Sequence, residues 1–306
     1  MTSDYLRFLP ADALPNPLPE PTSTSWHWRD MRAHVLRAGD PAAPCQAILL
    51  HGAGGHAGAL WPAAAILAGA GFRVAMPDLP GFGRTSVPDR GALRYPDWTA
   101  FATDFVRAEQ RSGTPMLVVG ASMGGMLAYE AACRTGAVHT VLATCLLDPR
   151  GREVHARIAR FPVLGRYAGP LLRLLAGPLA AAQIPLRALV KMRAISNDRG
   201  LVDTVVADKL GGGNAMPLGF LRSYLDSKPA VEPEQATGTR FVLAHPTEDH
   251  WTPLELSTSF LDRINGKTEL VLLEGTGHFP IESPGIYQLR DTIRRLFADM
   301  TPSSKS

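Results

Sequence analysis

The sequence predicts an α/β fold in which a mostly parallel eight-stranded sheet is flanked by helices, with a helical cap inserted after the sixth strand. Three observations support this prediction. Short apolar segments with strand character alternate with helical segments along most of the chain. A serine bracketed by glycines stands between one such strand and the following helix. The alternation stops at Pro149 and resumes after Ala236, which indicates an inserted segment.

The glycine-bracketed serine lies at Ser122. Residues 116–119 (MLVV) read as a buried strand, and a run of small and apolar residues with helical character follows the motif. This order is typical of a nucleophile elbow, in which a serine projects from a sharp turn. Side chains two positions before and after the serine would collide with the neighbouring strand and helix, so Gly120 and Gly124 favour the turn. The Met123 amide would then begin the helix and point at a substrate oxygen.

Composition restricts the function classes. The chain has 306 residues, of which 45% are hydrophobic and 19% charged, and this suits a large α/β domain with a sizeable core. A net charge of +3 is too small an excess to indicate nucleic-acid binding. Cys45, Cys133 and Cys145 have no metal-site spacing and fit a reducing compartment. Neither a secretory signal nor an apolar stretch of membrane length is evident, so we expect a cytoplasmic protein.

The segments before the elbow follow the alternating pattern. Prolines prevent regular structure in residues 1–25, which we interpret as an arm. Two short strands, Trp26–Arg29 and Ala33–Leu36, are predicted to pair as a hairpin at the sheet edge. The remaining segments are a strand at 46–50 that ends in the glycine loop 51–55, a helix at 59–70, a strand at 72–76, the loop 77–83 and an amphipathic helix around Trp98.

The segments after the elbow complete the pattern. They are a strand within 138–147, a strand at 239–244, a helix at 254–264, a strand at 268–273 and a helix that ends near Phe297. Ser283 is predicted to cap this last helix, with Pro284 at its first position. The predicted organisation is an arm (1–25), a core (26–148 and 237–299), a helical cap (149–236) with a flexible break at 211–214, and a disordered tail (300–306). Such a cap would lie over the carboxyl ends of the strands, where open sheets bind ligands.

A serine nucleophile requires a base within hydrogen-bond reach and an acid that orients the base. His278 follows the last strand in a glycine-containing loop, from which an imidazole can reach the elbow, and we predict that it is the base. Asp249, in the loop after the 239–244 strand, is the favoured acid. Glu248 and Asp148 are the alternatives, although Asp148 precedes a proline and is suited to capping the first helix of the cap.

Two backbone amides are expected to bind the oxyanion of the reaction. One belongs to Met123, and the other comes from the loop after the 46–50 strand, from Ala53 or alternatively Gly54. His51 is interpreted as a support for this loop, because one base is sufficient. The loop has no phosphate-binding lysine and no residues have metal-ligand spacing, so we expect neither an organic cofactor nor a metal.

These motifs together resemble the α/β-hydrolase superfamily across residues 30–298. HGAGG, PDLPGFGRT, GASMGG, EDHWTP and GTGHFPIESP are similar to the branch that contains monoacylglycerol lipases, serine aminopeptidases and lysophospholipases. The resemblance implies a catalytic triad and two oxyanion donors at these positions: Ser122, Asp249 and His278 for the triad, Ala53 and Met123 for the amides. Ala121 departs from the branch, since the lipases usually have histidine there, and this leaves the substrate class open.

The cap sequence is basic and leucine-rich. Ten arginines or lysines lie between residues 149 and 200, against two acids. Helices of this composition can lie on anionic membranes, but proline breaks keep each helix short and favour a solvated lid packed on the core. A pocket for medium-sized apolar acyl or aryl groups is expected beneath the lid. Its candidate lining residues are Gly54, Phe220, Tyr224 and Phe279.

The sequence therefore predicts a serine hydrolase that cleaves carboxylic esters of small molecules, with small to medium apolar acyl or aryl groups, through an acyl-enzyme. Lactones, amides and carbon–carbon bonds are alternative substrates, because one triad can serve all of them. A ligand-binding receptor that keeps the fold is the alternative from another class. The sequence does not determine the oligomeric state.

Overall fold

An eight-stranded sheet runs through the centre of the protein. The structure is a computed structural model and describes residues 3–158 and 177–301. The strands are β1 (Thr22–Trp28), β2 (Met31–Ala38), β3 (Gln46–Leu50), β4 (Arg73–Pro77), β5 (Met116–Gly120), β6 (Thr140–Ala143), β7 (Gln183–Pro185), β8 (Ala215–Pro217), β9 (Arg240–Pro246) and β10 (Lys267–Leu273). The central sheet has the order β1-β2-β4-β3-β5-β6-β9-β10, and β7 and β8 form a separate two-stranded sheet. Pairing is parallel from β4 to β10 and antiparallel at β1–β2 and β2–β4, which confirms the predicted sheet.

Burial explains why the central strands read as continuous apolar segments. Every residue of β3, β5 and β6 is buried, as expected for parallel strands that are covered on both faces. The two edge strands, β1 and β10, instead alternate between exposed and less exposed residues. The predicted edge hairpin is present, with Trp28 opposite Met31 and Arg29 at a positive φ of 52° in the turn. It begins at Thr22 rather than at Trp26.

The helices of the core form two packed pairs. Helix Trp61–Gly69 contacts the C-terminal helix Gly285–Met300, and helix Tyr95–Glu109 contacts helix Met123–Thr135. The amphipathic helix predicted around Trp98 buries that side chain on its inner face. The other helices of the described residues are Ser3–Leu6, Arg152–Ile158, Leu186–Leu189, Arg199–Ala207, Leu218–Leu225 and Leu254–Leu261.

The N-terminal arm has regular turns, in contrast to the prediction. It contains the short helix Ser3–Leu6 and a 3-10 turn at Ala11–Ala13. The side chains of Tyr5, Leu9 and Ala13 are buried. The prolines lie outside both turns, where a fixed φ is compatible with the backbone. Apolar side chains of the arm therefore hold this segment on the core.

The C-terminal helix begins later than predicted. Pro284, rather than Ser283, is its N-cap residue, and Gly285 is its first residue. The Gly285 amide donates to Glu274 O at 2.9 Å, and a Cβ on Gly285 would lie 2.4 Å from Thr276 Cγ2. This close packing against the loop after β10 sets the start of the helix. Residues 302–306 of the predicted tail lie outside the described residues.

The segment between β6 and β9 is only partly helical, whereas the sequence predicts helices throughout. Its described part includes β7 and β8, which pair antiparallel with Ile184 opposite Met216. Each strand ends at a proline, Pro185 or Pro217, that is also the N-cap residue of the next helix. Pro185 and Pro217 therefore each connect a strand to a helix, whereas the sequence analysis expected prolines to separate one helix from the next. The division of the chain into a core and a cap stays a prediction.

The predicted flexible break at 211–214 is packed against the core. Gly211 and Gly212 are buried, and a Cβ on Gly211 would lie 2.6 Å from Gly54 O. Asn214 Nδ2 donates to Gly81 O at 3.0 Å. The glycines here allow a close approach of two backbone segments, which is a different use of glycine from the predicted flexibility.

Part of the basic, leucine-rich stretch lies outside the described residues: Arg160, Arg166, Arg173, Leu171, Leu172, Leu174 and Leu175. Within the described part, Arg150 pairs with Asp148 and Glu232. Among the described helices, none combines the length and the apolar character that crossing a membrane requires. Binding of the cap to a membrane surface stays a prediction.

Candidate active site

Ser122 lies between β5 and helix Met123–Thr135 in a strained backbone conformation. Its φ and ψ are 54° and −126°, and such a conformation costs roughly 1–3 kcal/mol in a residue other than glycine. The Ser122 amide donates to Thr144 Oγ1 at 3.1 Å, and the Gly125 amide donates to Ser122 O at 2.8 Å. These bonds hold the turn, and Ser122 lines a cavity at the carboxyl edge of the sheet.

Three glycines remove the side chains that this turn cannot accommodate. A Cβ on Gly120 would lie 2.3 Å from Gly124 O. A Cβ on Gly124 would lie 2.1 Å from Leu50 O, and one on Gly125 would lie 2.0 Å from Cys145 O. All of these atoms belong to the backbone, so relief would require a shift of the main chain. The glycine bracketing seen in the sequence therefore has a steric basis.

Replacing Gly124 with alanine is expected to destabilise the fold by about 1–3 kcal/mol, because the new methyl group would overlap Leu50 O. Urea denaturation would measure the change. Gly177→Ala is the matched control, since no atom of the described residues lies within 4 Å of a Cβ there. That control should stay within about 0.5 kcal/mol of the wild type. Equal stability of the two variants would contradict the steric role of Gly124.

A short hydrogen bond joins His278 and Asp249. His278 Nδ1 donates to Asp249 Oδ2 at 2.7 Å, and both side chains are buried. The bond places the proton of a neutral imidazole on Nδ1 and leaves a lone pair on Nε2. Nε2 is buried without a hydrogen-bond partner among the described residues, and His278 lines the same cavity as Ser122. A general base requires such an unoccupied acceptor nitrogen.

Several donors keep the Asp249 carboxylate charged. The Trp251 and Thr252 amides donate to Oδ1, both at 2.8 Å, and the Thr252 hydroxyl donates to Oδ2 at 2.6 Å. Burial by itself raises the pKa of Asp249, but attraction to His278 and the hydrogen bonds outweigh it and lower the pKa to about 2. The carboxylate is therefore ionised at neutral pH, and an ionised group can orient the imidazole and stabilise its charged form.

Thr252 contacts both His278 and Asp249, and the sequence analysis did not identify it. Besides donating to Asp249, its hydroxyl lies 3.1 Å from His278 Nδ1, so it contacts both members of the pair. The buried ring of His245 supports this loop from below, with Nε2 3.1 Å from Thr252 O. The signal in the sequence is a threonine three positions after the acid. An ordinary turn has the same pattern, so it does not by itself indicate a role.

The two alternative acids lie elsewhere. Asp148 pairs with Arg150 at 2.7 Å and lies 3.8 Å from Arg263, in a cluster of ion pairs. Glu248 is exposed. Among the three acids weighed from the sequence, the structure brings Asp249 into contact with His278.

His51 fixes the glycine loop that follows β3. The Leu79 amide donates to His51 Nε2 at 2.9 Å, so the ring proton lies on Nδ1, which donates to Gly52 O at 2.8 Å. Burial lowers the pKa of His51 to about 4, and the ring therefore stays neutral. These contacts agree with the interpretation of His51 as a support for the loop.

This anchoring sets the direction of the next amide. The carbonyl and N–H groups of a trans peptide point in opposite directions. Because His51 and the Gly55 amide bind Gly52 O, the Ala53 N–H points away from them, and Ala53 lines the cavity. Met123 begins its helix, so its amide has no acceptor within the helix, and a Cβ on Gly52 would lie 2.9 Å from Met123 N. The two predicted oxyanion donors thus lie on adjoining backbone segments.

A cavity of about 60 Å³ lies at the site. Ser122, His278 and Ala53 line it, together with Gly54 and Phe279 from the predicted pocket set. The segment between β6 and β9 contributes Ile195 and Val205, and the N-terminal arm contributes Tyr5. This volume is small for the medium-sized acyl or aryl groups that the sequence analysis expects, since sites for drug-sized ligands usually measure about 300–1,000 Å³.

Phe220 and Tyr224 do not line this cavity, which corrects the pocket prediction. The Phe220 side chain is fully buried, and its ring centroid lies 4.8 Å from that of Trp98. The ring centroid of Tyr224 lies 5.1 Å from that of Tyr95. The apolar face of helix Leu218–Leu225 therefore packs on helix Tyr95–Glu109. Sequence periodicity identifies such a face, but it does not show which surface covers it.

No group of three or more His, Cys, Asp or Glu side chains in the described part of the chain is arranged to hold a metal ion. Cys45, Cys133 and Cys145 are free thiols. Burial raises the pKa of Cys145, and the charge of Asp249 raises it further, so this thiol behind the site stays neutral.

A sheet of this strand order, with a strained serine after β5 and a histidine after the last strand, defines the α/β-hydrolase class of proteins. A family model described as "Alpha/beta hydrolase family" matches residues 47–287. The chain belongs to the alpha/beta hydrolase family, and the resemblance inferred from its motifs is confirmed. No curated protein matches the sequence.

Solved structures show the same fold. The chain is 15% identical to a soluble variant of monoglyceride lipase from Saccharomyces cerevisiae in complex with a substrate analogue, with 92% of this chain and 96% of that chain covered and a TM-score of 0.73. It is 16% identical to a thermostable carboxyl esterase from Bacillus coagulans in complex with glycerol, over 92% and 99% of the chains, with a TM-score of 0.71. It is 19% identical to a monoacylglycerol lipase from Paleococcus ferrophilus, over 91% and 99%, with a TM-score of 0.68. At these identities the likeness shows the fold.

Proposed function

We propose that the protein is a serine hydrolase that cleaves carboxylic esters with small to medium apolar acyl or aryl groups through an acyl-enzyme. One observation carries the proposal: His278 donates to Asp249 through Nδ1 at 2.7 Å and leaves a buried, unpartnered Nε2. That ring shares a cavity with the strained Ser122 and with Ala53. A nucleophile, a base with an orienting acid, and oxyanion donors are the parts that acyl transfer requires.

In the first half-reaction, Ser122 Oγ attacks the ester carbonyl carbon while His278 Nε2 takes the hydroxyl proton. The carbonyl oxygen becomes an oxyanion, to which the Ala53 and Met123 amides donate. Asp249 stabilises the imidazolium that has formed. His278 then gives its proton to the departing alkoxide, the carbon–oxygen bond to the alcohol breaks, and the acyl group remains on Ser122.

In the second half-reaction, a water molecule takes the place of the alcohol. His278 Nε2 accepts a proton from this water, and the oxygen attacks the acyl carbon. The same two amides bind the second oxyanion. Collapse of the intermediate returns the proton to Ser122 Oγ and releases the carboxylic acid. In both half-reactions His278 Nε2 accepts the proton and then returns it, so one base serves the whole cycle.

Esters rank first among the substrate classes for two reasons. The motifs resemble those of lipases and esterases, and the structural neighbours include monoglyceride lipases and a carboxyl esterase. The cavity walls beside the serine are largely apolar, with Leu60, Ile195, Val205 and Phe279 among them.

We also propose a cytoplasmic location, which the three free thiols support.

Labelling with a fluorophosphonate probe tests the proposal, combined with a panel of esters, lactones, amides and carbon–carbon substrates read by pH titration and mass spectrometry. We expect a single adduct on the peptide that contains Ser122 and turnover of short nitrophenyl esters. Turnover confined to lactones, amides or carbon–carbon bonds would overturn the ester assignment. Absence of both labelling and turnover would indicate a ligand-binding receptor.

A further inference from the structure

Tyr5 belongs to the N-terminal arm and yet lines the catalytic cavity. Its side chain is 2% exposed and shares the cavity with Ser122 and His278. Its ring centroid lies 6.2 Å from that of Phe279, in an edge-to-face arrangement. An aromatic side chain from outside the predicted core therefore forms part of the site.

The far end of the Tyr5 side chain is anchored. Its hydroxyl donates to Asp208 Oδ2 at 2.7 Å, and the same oxygen lies 2.7 Å from His56 Nε2. The Gly58 amide donates to His56 Nδ1 at 3.1 Å, so Nε2 carries the ring proton and donates to Asp208. Burial and the nearby Asp208 carboxylate raise the pKa of Tyr5, which keeps its hydroxyl as a donor. The ring is thus fixed by the core and by the segment between β6 and β9.

The neighbouring arm residues add contacts to the same segment. Arg7 donates to Thr204 Oγ1 at 3.0 Å, and a Cβ on Gly200 would lie 3.3 Å from the Phe8 ring. Both partners belong to helix Arg199–Ala207, which also supplies Val205 to the cavity. The arm therefore packs on the helix that forms one side of the site, and Tyr5 has a defined position.

We propose that Tyr5 forms the end wall of the substrate pocket and limits the length of the apolar chain of the ester. This inference rests on the proposed function and narrows its substrate class to esters with short chains. The cavity of about 60 Å³ is bordered by the Tyr5 ring and by the apolar side chains of Leu60, Val205 and Phe279. A shorter side chain at position 5 would lengthen this apolar pocket, and a larger one would fill it.

Two opposite substitutions test the proposal. In Tyr5→Leu, the ratio of kcat/KM for an ester with an eight-carbon chain to that for an ester with a two-carbon chain should rise by about tenfold in the acyl or the alcohol series, the size of effect that a change in an apolar pocket produces. In Tyr5→Trp, the ratio should fall. Each variant is assayed with an acyl series at constant alcohol and with an alcohol series at constant acyl group. The series that responds shows which side of the ester meets Tyr5, and no response in either series would overturn the proposal.

Two controls distinguish the effect of the Tyr5 ring as a pocket wall from the effect of the contacts that attach the N-terminal arm to the rest of the protein. Tyr5→Phe keeps the ring and removes the bond to Asp208, so the ratio should stay within about twofold of the wild type. Tyr287 also fastens the arm, since its hydroxyl donates to Asp12 at 2.6 Å, but it is not among the residues that line the cavity. Tyr287→Ala should leave the ratio unchanged. A change in the ratio as large as that in Tyr5→Leu would mean that attachment of the arm, and not the Tyr5 ring, limits the chain length of the substrate. That result would overturn the proposal.

A readout without turnover keeps this inference separate from the proposed function. Thermal melting with butyrate or decanoate reports binding, because a ligand of the folded state raises Tm. Tyr5→Leu should gain stabilisation by decanoate relative to the wild type. A wild type that hydrolyses no ester would refute the proposed function, whereas the decanoate shift would still test the wall. Equal decanoate shifts in the wild type and Tyr5→Leu, together with unchanged kcat/KM ratios, would refute the wall alone.

Discussion

Replacing Ser122 with alanine is expected to lower kcat for a short nitrophenyl ester by about 10⁶, which is the typical loss when the nucleophile of a triad is removed. His278 Nε2 would then have no hydroxyl to deprotonate, and the acyl-enzyme could not form. The Ala53 and Met123 amides would remain and leave a small residual rate. Initial rates at saturating substrate, with mass spectrometry to exclude an acyl adduct, would measure the effect.

Ser259→Ala is the matched control for this variant. Ser259 is an exposed helix residue whose hydroxyl donates to Leu256 O, so its kcat should stay within about twofold of the wild type. The loss of one oxygen should leave the strained backbone at position 122, where φ is 54°, unchanged. Ser122→Ala should therefore melt close to the wild type. A kcat above about one-hundredth of the wild-type value would mean that another group is the nucleophile.

The Asp249→Asn variant should lose about 10⁴ in kcat with little change in KM. The amide nitrogen of asparagine is a donor, and a donor facing Nδ1 favours the tautomer with the proton on Nε2. The imidazole would then present a proton, instead of a lone pair, toward the serine. The variant also cannot stabilise the imidazolium, because it carries no charge. Steady-state kinetics across pH 6–9 would measure both parameters.

The two acids that the sequence left as alternatives provide the controls for Asp249. Glu248→Gln changes an exposed group, and Asp148→Asn changes a partner of Arg150 and Arg263. Surface ion pairs contribute roughly 0–1 kcal/mol, so both variants should keep kcat within about threefold. A loss of more than a hundredfold in Asp148→Asn would instead assign the orienting role to the acid after β6.

The parts of the site that sequence could predict are those with a local steric or chemical requirement. Gly120 and Gly124 bracket Ser122 because the turn has no room for side chains, and the structure places backbone atoms within 2.1–2.3 Å of the missing Cβ positions. The buried strands could be predicted in the same way, since β3 and β5 are apolar at nearly every position. The bounds of β3 agree with the prediction and those of β5 differ by one residue, a difference that is usual at the ends of such elements.

Other features depend on long-range packing that leaves little local trace. Phe220 and Tyr224 have the periodicity of an inward-facing helix, yet the inward side faces Trp98 and Tyr95 and not the cavity. The glycines at 211 and 212 suggest a flexible break because the sequence does not show the backbone atoms that leave no room for side chains there, Gly54 O beside Gly211 and Val205 O beside Gly212. Tyr5 lies in a proline-rich stretch, where neither periodicity nor motif indicates a role.

By itself, the sequence determined the fold class, the elbow at Ser122 and the histidine after the last strand, because each depends on residues adjacent in the chain. The contact between Asp249 and His278, the contacts of Thr252 with both and the contribution of Tyr5 to the cavity were shown only by the tertiary structure. Those features depend on which distant segments meet: Asp249 Oδ2 reaches His278 Nδ1 at 2.7 Å, and Tyr5 reaches Asp208 at 2.7 Å. Local patterns specify the conformation of a segment, whereas the positions of its partners follow from the packing of the whole chain.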